Sequence, residues 1–283
     1  MKIELAKNFG FCFGVKRAIA IAENSPNSST IGELIHNNLE ISRLQKDFKV
    51  KTLKSISELS DEKKVIIRTH GIRKQDLEFL KKNHFEISDA TCPFVKKPQK
   101  IAQDMSEKGY DIVIFGDIQH PEIQGIMSYV STNVFVVANE EDIEKIKFKS
   151  KIALISQTTK KIEKFNQIAV KILPKVKELR IFNTICNATL QNQEAIEILA
   201  KKSDVMVIVG GKNSSNTRQL FLISKNFCED SYLIESENEV KGEWFLNKNL
   251  CGISAGASTP DWLIQKVIEK IKNLDEKATI KKF

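Results

Sequence analysis

Three of the five cysteines, Cys12, Cys92 and Cys186, each stand immediately before a stretch with helical hydrophobic spacing: FGVKRAIAIAEN, PFVKKPQKIAQDMSEKG and NATLQNQEAIEILAKKSD. A structural zinc site wants four ligands, often in CxxC pairs, and the sequence contains no CxxC. Iron–sulfur clusters are held by thiolates, usually four per cluster, so three cysteines leave one iron open to water or substrate. The partial positive charge at a helix N-terminus favours the thiolate form at each position. The donor set therefore points to one iron–sulfur cluster that does chemistry rather than storing electrons. Cys228 ends a helical run (QLFLISKNFC) and Cys251 enters an apolar strand, so both are expected to be buried apolar residues.

A second set of residues suits an anion. His36 (LIHNN), His70 (RTHG) and His120 (QHPE) all follow apolar strands, and Ser214, Ser215, Asn216 and Ser258 occupy the matching loops later in the chain. Imidazole, hydroxyl and amide donors of this kind suit phosphate oxygens. Gly210 and Gly211, ahead of Lys212, would let backbone approach the same anion. His84, in KKNHFE, has no counterpart and is expected to be an exposed helix-end residue. Glu122 stands two residues after His120, in HPE. It could serve only as a first-turn acid of the helix opened by Pro121, but in an anion pocket a carboxylate is misplaced unless it handles a proton. Thr158, in SQTT, is placed to hold a substrate hydroxyl.

These positions are set by a threefold repeat. Each cysteine is followed by a helix, a strand breaking into a polar loop (30–38, 111–122, 204–216), a further helix, a weaker strand, and a second apolar strand (64–71, 151–159, 250–259). A closing helix completes each unit, and the short strands EISDATC and LRIFNTIC deliver the second and third cysteines. The expected fold class is α/β, with three small units of largely parallel sheet, residues 1–91, 92–185 and 186–283, around a pseudo-threefold central cavity holding the cluster. Loops at the carboxyl ends of parallel strands form the ligand crevice in such sheets.

Composition narrows the class of function. The chain has 283 residues, with 44 Lys and Arg against 36 Asp and Glu for a formal charge of +8. Its basic residues are 38 Lys and only 6 Arg, scattered along the chain, and only three Tyr and two Trp are present. Nucleic-acid readers favour the Arg fork and aromatic stacking, so the charge reads as a solvated lysine surface and no nucleic-acid partner is expected. No apolar run approaches a membrane span and the first residues do not resemble a secretion signal, so a cytoplasmic protein with free thiols is expected.

FCFGVKRAI around Cys12, RTHG at 68–71, ATCP at 90–93, HPE at 120–122, SQTT at 156–159, NSSN at 213–216 and SAGAST at 254–259 together resemble the 4-hydroxy-3-methylbut-2-enyl diphosphate reductase family, over residues 1–270 and in the family's order. The resemblance implies an oxygen-sensitive [4Fe–4S] cluster held by Cys12, Cys92 and Cys186, at the centre of three α/β units. It implies that His36, His70, His120, Ser214, Ser215, Asn216 and Ser258 grip a substrate diphosphate, with Thr158 and Glu122 near the allylic hydroxyl. By the same resemblance the reaction is the last step of the methylerythritol phosphate route to isoprenoids. Two electrons and protons relayed through Glu122 expel the hydroxyl as water and give isopentenyl and dimethylallyl diphosphate. A small flavodoxin or ferredoxin would supply the electrons.

Three positions depart from the family's usual residues: Asn192 stands in place of Arg, Pro98-Gln99 in place of Val-His, and Gln119 in place of Gly. Two other readings compete. A quinolinate-synthase-like three-cysteine enzyme would want more arginine in the loops, and a non-catalytic metal-binding module would need neither Glu122 nor the histidines.

Overall fold

Parallel pairing organises every strand in the computed structural model, which describes residues 1–60, 63–274 and 279–281. In chain order the strands are β1 (Lys2–Leu5), β2 (Ser29–Ile31), β3 (Lys51–Leu53), β4 (Lys64–Ile67), β5 (Glu86–Asp89), β6 (Asp111–Phe115), β7 (Val134–Val137), β8 (Lys151–Ser156), β9 (Glu178–Ile181), β10 (Val205–Val209), β11 (Ser231–Ile234), β12 (Leu250–Ala255) and β13 (Thr279–Lys281). They form three sheets, ordered β3-β2-β4-β5, β7-β6-β8-β9 and β11-β10-β12-β1-β13. The three parallel α/β units expected from the repeat are therefore present.

The sheets also show where the repeat closes. β5 leads to Cys92 and β9 leads to Cys186, each lying beside the second apolar strand of its sheet. β1, which leads to Cys12, takes the same position beside β12. The first four-residue strand, counted with residues 1–91 from sequence, thus hydrogen-bonds into the sheet of the last third of the chain. Its short KIEL segment buries Ile3 among Val205, Val207, Ile253, Leu263 and Val267.

By packing, the chain divides into two compact units, one comprising Met1–Lys16, His36–Ser42 and Asn187–Phe283, the other Arg17–Ile35 and Arg43–Cys186. In the first, β10 reads VMVIV and is buried throughout, because helices cover both faces. Val205, Val207 and Val209 pack with Leu263, Ile264 and Val267 of the helix Asp261–Leu274, while Met206 and Ile208 pack with Ile196 and Leu220 of the helices Asn187–Ala200 and Ser215–Phe227. In the second unit Ile112 and Ile114 of β6 and Ala153 and Ile155 of β8 share a core with Ala102 and Met105 of the helix Pro93–Glu107 and Ile123 and Ile126 of the helix Pro121–Met127.

The helix Pro93–Glu107 begins directly after Cys92 and runs through Pro98, which removes one intrahelical hydrogen bond without ending it. Among the described residues no helix is long and apolar enough to cross a membrane. Because Ile3 is fully buried in the core of its sheet, Ile3→Ala should lower unfolding stability by about 2–4 kcal/mol, measured by chemical denaturation.

Candidate functional site

The second unit carries Cys92, Cys186, His70, His120 and Thr158 on loops that follow β5, β9, β4, β6 and β8, and Glu122 in the first turn of the helix after β6. The loop after β6 turns into the helix Pro121–Met127, with Pro121 at its first position, where a missing N–H costs nothing. His120 caps that helix: its Nδ1 accepts from the Glu122 N–H at 3.2 Å. A neutral ring that accepts at Nδ1 carries its proton on Nε2, so His120 presents a donor at its other nitrogen. The His70 ring meets it edge-on, with centroids 5.4 Å apart.

Glu122 is 1% exposed. Thr158 satisfies both carboxylate oxygens, its N–H donating to Oε1 at 2.8 Å and its Oγ1 to Oε2 at 2.7 Å. Burial outweighs these two bonds and the nearby Lys160 charge, and pushes the carboxyl up to about 7. A group with that affinity both holds and releases a proton near neutrality, as a general acid must. Its place in the first turn of a helix, the plainer role open to it from sequence, is also real, but a surface acid there would face water and both donors would be unnecessary.

Supporting contacts fix this geometry. Gln157, fully buried, accepts from the Asp117 N–H at 3.0 Å and so ties the loop after β8 to the loop after β6. Thr69 donates through N–H and Oγ1 to the Leu34 carbonyl, at 3.2 and 2.9 Å, and its Oγ1 lies 3.4 Å from His70 Nδ1. Arg73 donates to Gln124 at 2.8 Å, and the Lys74 N–H donates to Ser128 Oγ at 2.9 Å, joining the His70 segment to the Glu122 helix. Sequence reading singled out neither Thr69 nor Gln157. The only signal was their presence inside RTHG and SQTT.

In the first unit the anion donors come together. Ser258 Oγ donates to the His36 carbonyl at 3.0 Å. A Cβ at Gly211 would stand 2.6 Å from that same carbonyl oxygen, so glycine is required for the close approach. Ser214 caps the helix Ser215–Phe227 by accepting from the Thr217 N–H. Asn216 is 5% exposed, and neither its Oδ1 nor its Nδ2 has a hydrogen-bond partner. A buried amide with both ends open costs free energy unless a ligand completes it. The amide thus fits the polar ligand expected from the sequence.

The cysteines share one backbone arrangement. The N–H of Cys12 donates to Ala257, that of Cys92 to Thr69 and that of Cys186 to Thr158, at 3.2, 3.0 and 3.0 Å. In each case the acceptor lies in the loop after the sheet's second apolar strand. None of the three is in a disulfide, and all are half-buried. Cys228 and Cys251 are buried, and burial pushes both thiols up, away from the thiolate a metal needs. His84 is exposed at a helix end, as expected. Of the departing positions, Asn192 is buried in the helix Asn187–Ala200, Gln119 donates its N–H to Asp117 Oδ1, and the Gln99 amide wedges against Gly71 and Gly125.

A match to the family described as LytB protein spans residues 3–272. The 4-hydroxy-3-methylbut-2-enyl diphosphate reductase of Campylobacter concisus is 67% identical over 274 residues, covering 97% of this chain and 100% of that protein. A solved structure described as (E)-4-hydroxy-3-methyl-but-2-enyl diphosphate reductase, the terminal enzyme of the non-mevalonate pathway, is 40% identical with a TM-score of 0.70, covering 96% of this chain and 99% of its own. The E-1-hydroxy-2-methyl-but-2-enyl-4-diphosphate reductase from Plasmodium falciparum is 27% identical with a TM-score of 0.92, covering 99% of this chain and 91% of its own.

The Glu122 environment has a measurable consequence for stability. Between pH 4.5, the ordinary carboxyl value, and about 7, the folded chain holds a proton that the unfolded chain has released. The resulting stabilisation is complete below pH 4.5 and is lost as pH rises through about 7, a change of up to about 3 kcal/mol. Chemical denaturation across this range should show that component in the parent and its absence in Glu122→Gln.

Proposed function

The chain belongs to the LytB protein family, which is iron–sulfur dependent, and from that membership we propose that it reduces (E)-4-hydroxy-3-methylbut-2-enyl diphosphate to isopentenyl and dimethylallyl diphosphate. The allylic C–O bond breaks and a C–H bond forms: two electrons and one proton make the new C–H bond, and a second proton leaves with the hydroxyl as water. The observation that carries this reading is Glu122, buried, held at both oxygens by Thr158 and raised to about 7.

The donor set fits a [4Fe–4S] cluster with Cys12, Cys92 and Cys186 as ligands: three half-buried thiols outside any disulfide, at equivalent backbone positions, with the other two thiols buried and protonated. When bound, the cluster supplies electrons and a Lewis-acidic iron open to the substrate oxygen. Glu122 supplies the proton that turns the departing hydroxyl into water. The Thr158 hydroxyl, already donating to Glu122, keeps its lone pairs for the substrate O–H and so orients the oxygen to be protonated. His120 Nε2–H, His70 and His36 donate to diphosphate oxygens. Ser214, Ser215, Asn216 and Ser258 complete the anchor, and the open Asn216 amide gains its missing partners there. A small flavodoxin or ferredoxin is the proposed electron donor.

Anaerobic protein given reductant and the hydroxylated diphosphate should release both five-carbon diphosphates. Glu122→Gln should keep iron and diphosphate binding while losing about 10²-fold or more in turnover. Turnover at the parent rate in that variant defeats the proton-donor role. Cys12→Ser, Cys92→Ser and Cys186→Ser should each lose bound iron and visible absorption, whereas Cys228→Ser should retain both. Full iron content in all three of the former defeats the ligand assignment.

A further inference from the structure

RTHG carries, besides His70, an arginine that the proposed reaction leaves without a role. Arg68 follows β4, half-buried. A Cβ at Gly32 would stand 2.2 Å from its Nη1 and 3.0 Å from its Cζ, so the guanidinium lies directly against the Gly32 backbone. Gly32 itself has φ +77°, in the left-handed region. On its other side Arg68 Nε reaches toward the Gly71 carbonyl at 3.4 Å, and Gly71 also has positive φ, +81°. The side chain thus touches two segments: the one after β2 that continues into His36, and the turn that carries His70. The charged groups that act on it are Glu33 and Asp76, which favour its charge, and Arg73, which opposes it. Burial is the largest influence and pulls the guanidinium below its ordinary value.

We propose that Arg68 is a positioning residue for diphosphate binding, a cationic strut that seats in the cleft left by Gly32 and fixes the His70 turn relative to the segment entering His36. The inference rests on the proposed function for the identity of the ligand, but its mechanical content does not. Burying a cation costs free energy, and replacement by an apolar side chain of similar length is often neutral or stabilising when the role is packing alone. Here the gain lies in aiming the imidazole: Thr69, next to Arg68, bonds the Leu34 carbonyl and sits at His70 Nδ1, so a shift of this turn moves the ring directly. Its charge adds to the field that attracts the anion, reduced by Glu33.

The test uses anaerobic holoenzyme and inorganic pyrophosphate as probe, with calorimetric binding beside KM and kcat for the hydroxylated diphosphate. Arg68→Met should weaken pyrophosphate binding and raise KM about tenfold, with a smaller change in kcat, and Arg68→Lys should fall between Met and the parent. Gly32→Ala fills the cleft, so it should weaken binding in the parent yet add little to Arg68→Met. The backbone strain of Ala at positive φ is common to both backgrounds and cancels in the cycle. Pyrophosphate affinity and KM within about twofold of the parent in Arg68→Met, even with a lowered melting temperature, overturn the inference, as does an additive Gly32→Ala effect. A parent that binds pyrophosphate but reduces no allylic diphosphate overturns the proposed function instead, and the pyrophosphate data alone still decide the role of Arg68.

Discussion

A carboxyl group shut away from water needs donors for both oxygens, and Glu122 finds both on one residue. That is possible because β6 and β8 are parallel neighbours, in register from Asp111 with Ile152 to Phe115 with Ser156, so their following loops leave the sheet side by side. The helix that starts at Pro121 then points its first turn at Thr158. Gly116 lets Ile123 come within 2.7 Å of where a Cβ would be, which brings the helix down onto the sheet end. Any displacement of one loop relative to the other would leave a buried acid half satisfied, so the whole β6–β8 edge is constrained by this one pair of hydrogen bonds.

The other half of the proposed chemistry depends on the opposite condition. Asn216 is buried with open donor and acceptor, and the surrounding backbone is held by Ser214, Ser258 and Gly211 rather than by the amide itself. Glu122 is complete without a ligand and changes only its proton; Asn216 is incomplete without one. The two residues thus differ in kind: the Glu122 carboxyl has its hydrogen bonds in place beforehand, whereas the Asn216 amide can still gain them.

Much of this was legible in the sequence because parallel α/β units repeat a simple grammar: apolar strand, then polar loop, then helix. Cys12, Cys92, Cys186 and the three histidines occupy loop positions, and Glu122 the helix start after one of them, that the hydrophobic pattern announces. Thr69, Gln157 and Arg68 were not legible as positioning groups, because their partners, Leu34, Asp117 and Gly32, are neighbours only across a sheet or between loops. β1 escaped for a related reason. Four residues, KIEL, carry almost no periodicity, and their partner strand lies at the far end of the chain. The helix expected over PFVKKPQKIAQDMSEKG does run through Pro98, because the buried faces of Val95, Ala102 and Met105 outweigh one lost backbone bond.

The place of β1 has a consequence for how the chain is made. It lies between β12 and β13, so it leaves the ribosome well before either neighbour and cannot pair until β12 has been synthesised. The two sheets formed by β2 to β9 are complete long before that, and domains generally fold as they emerge. While β2 to β11 are being made the nascent chain therefore carries Ile3 and the approach to Cys12 without their sheet. Cys12 acquires its backbone partner Ala257 only when the C-terminal sheet closes, which makes the first cysteine in sequence the last to be set in place.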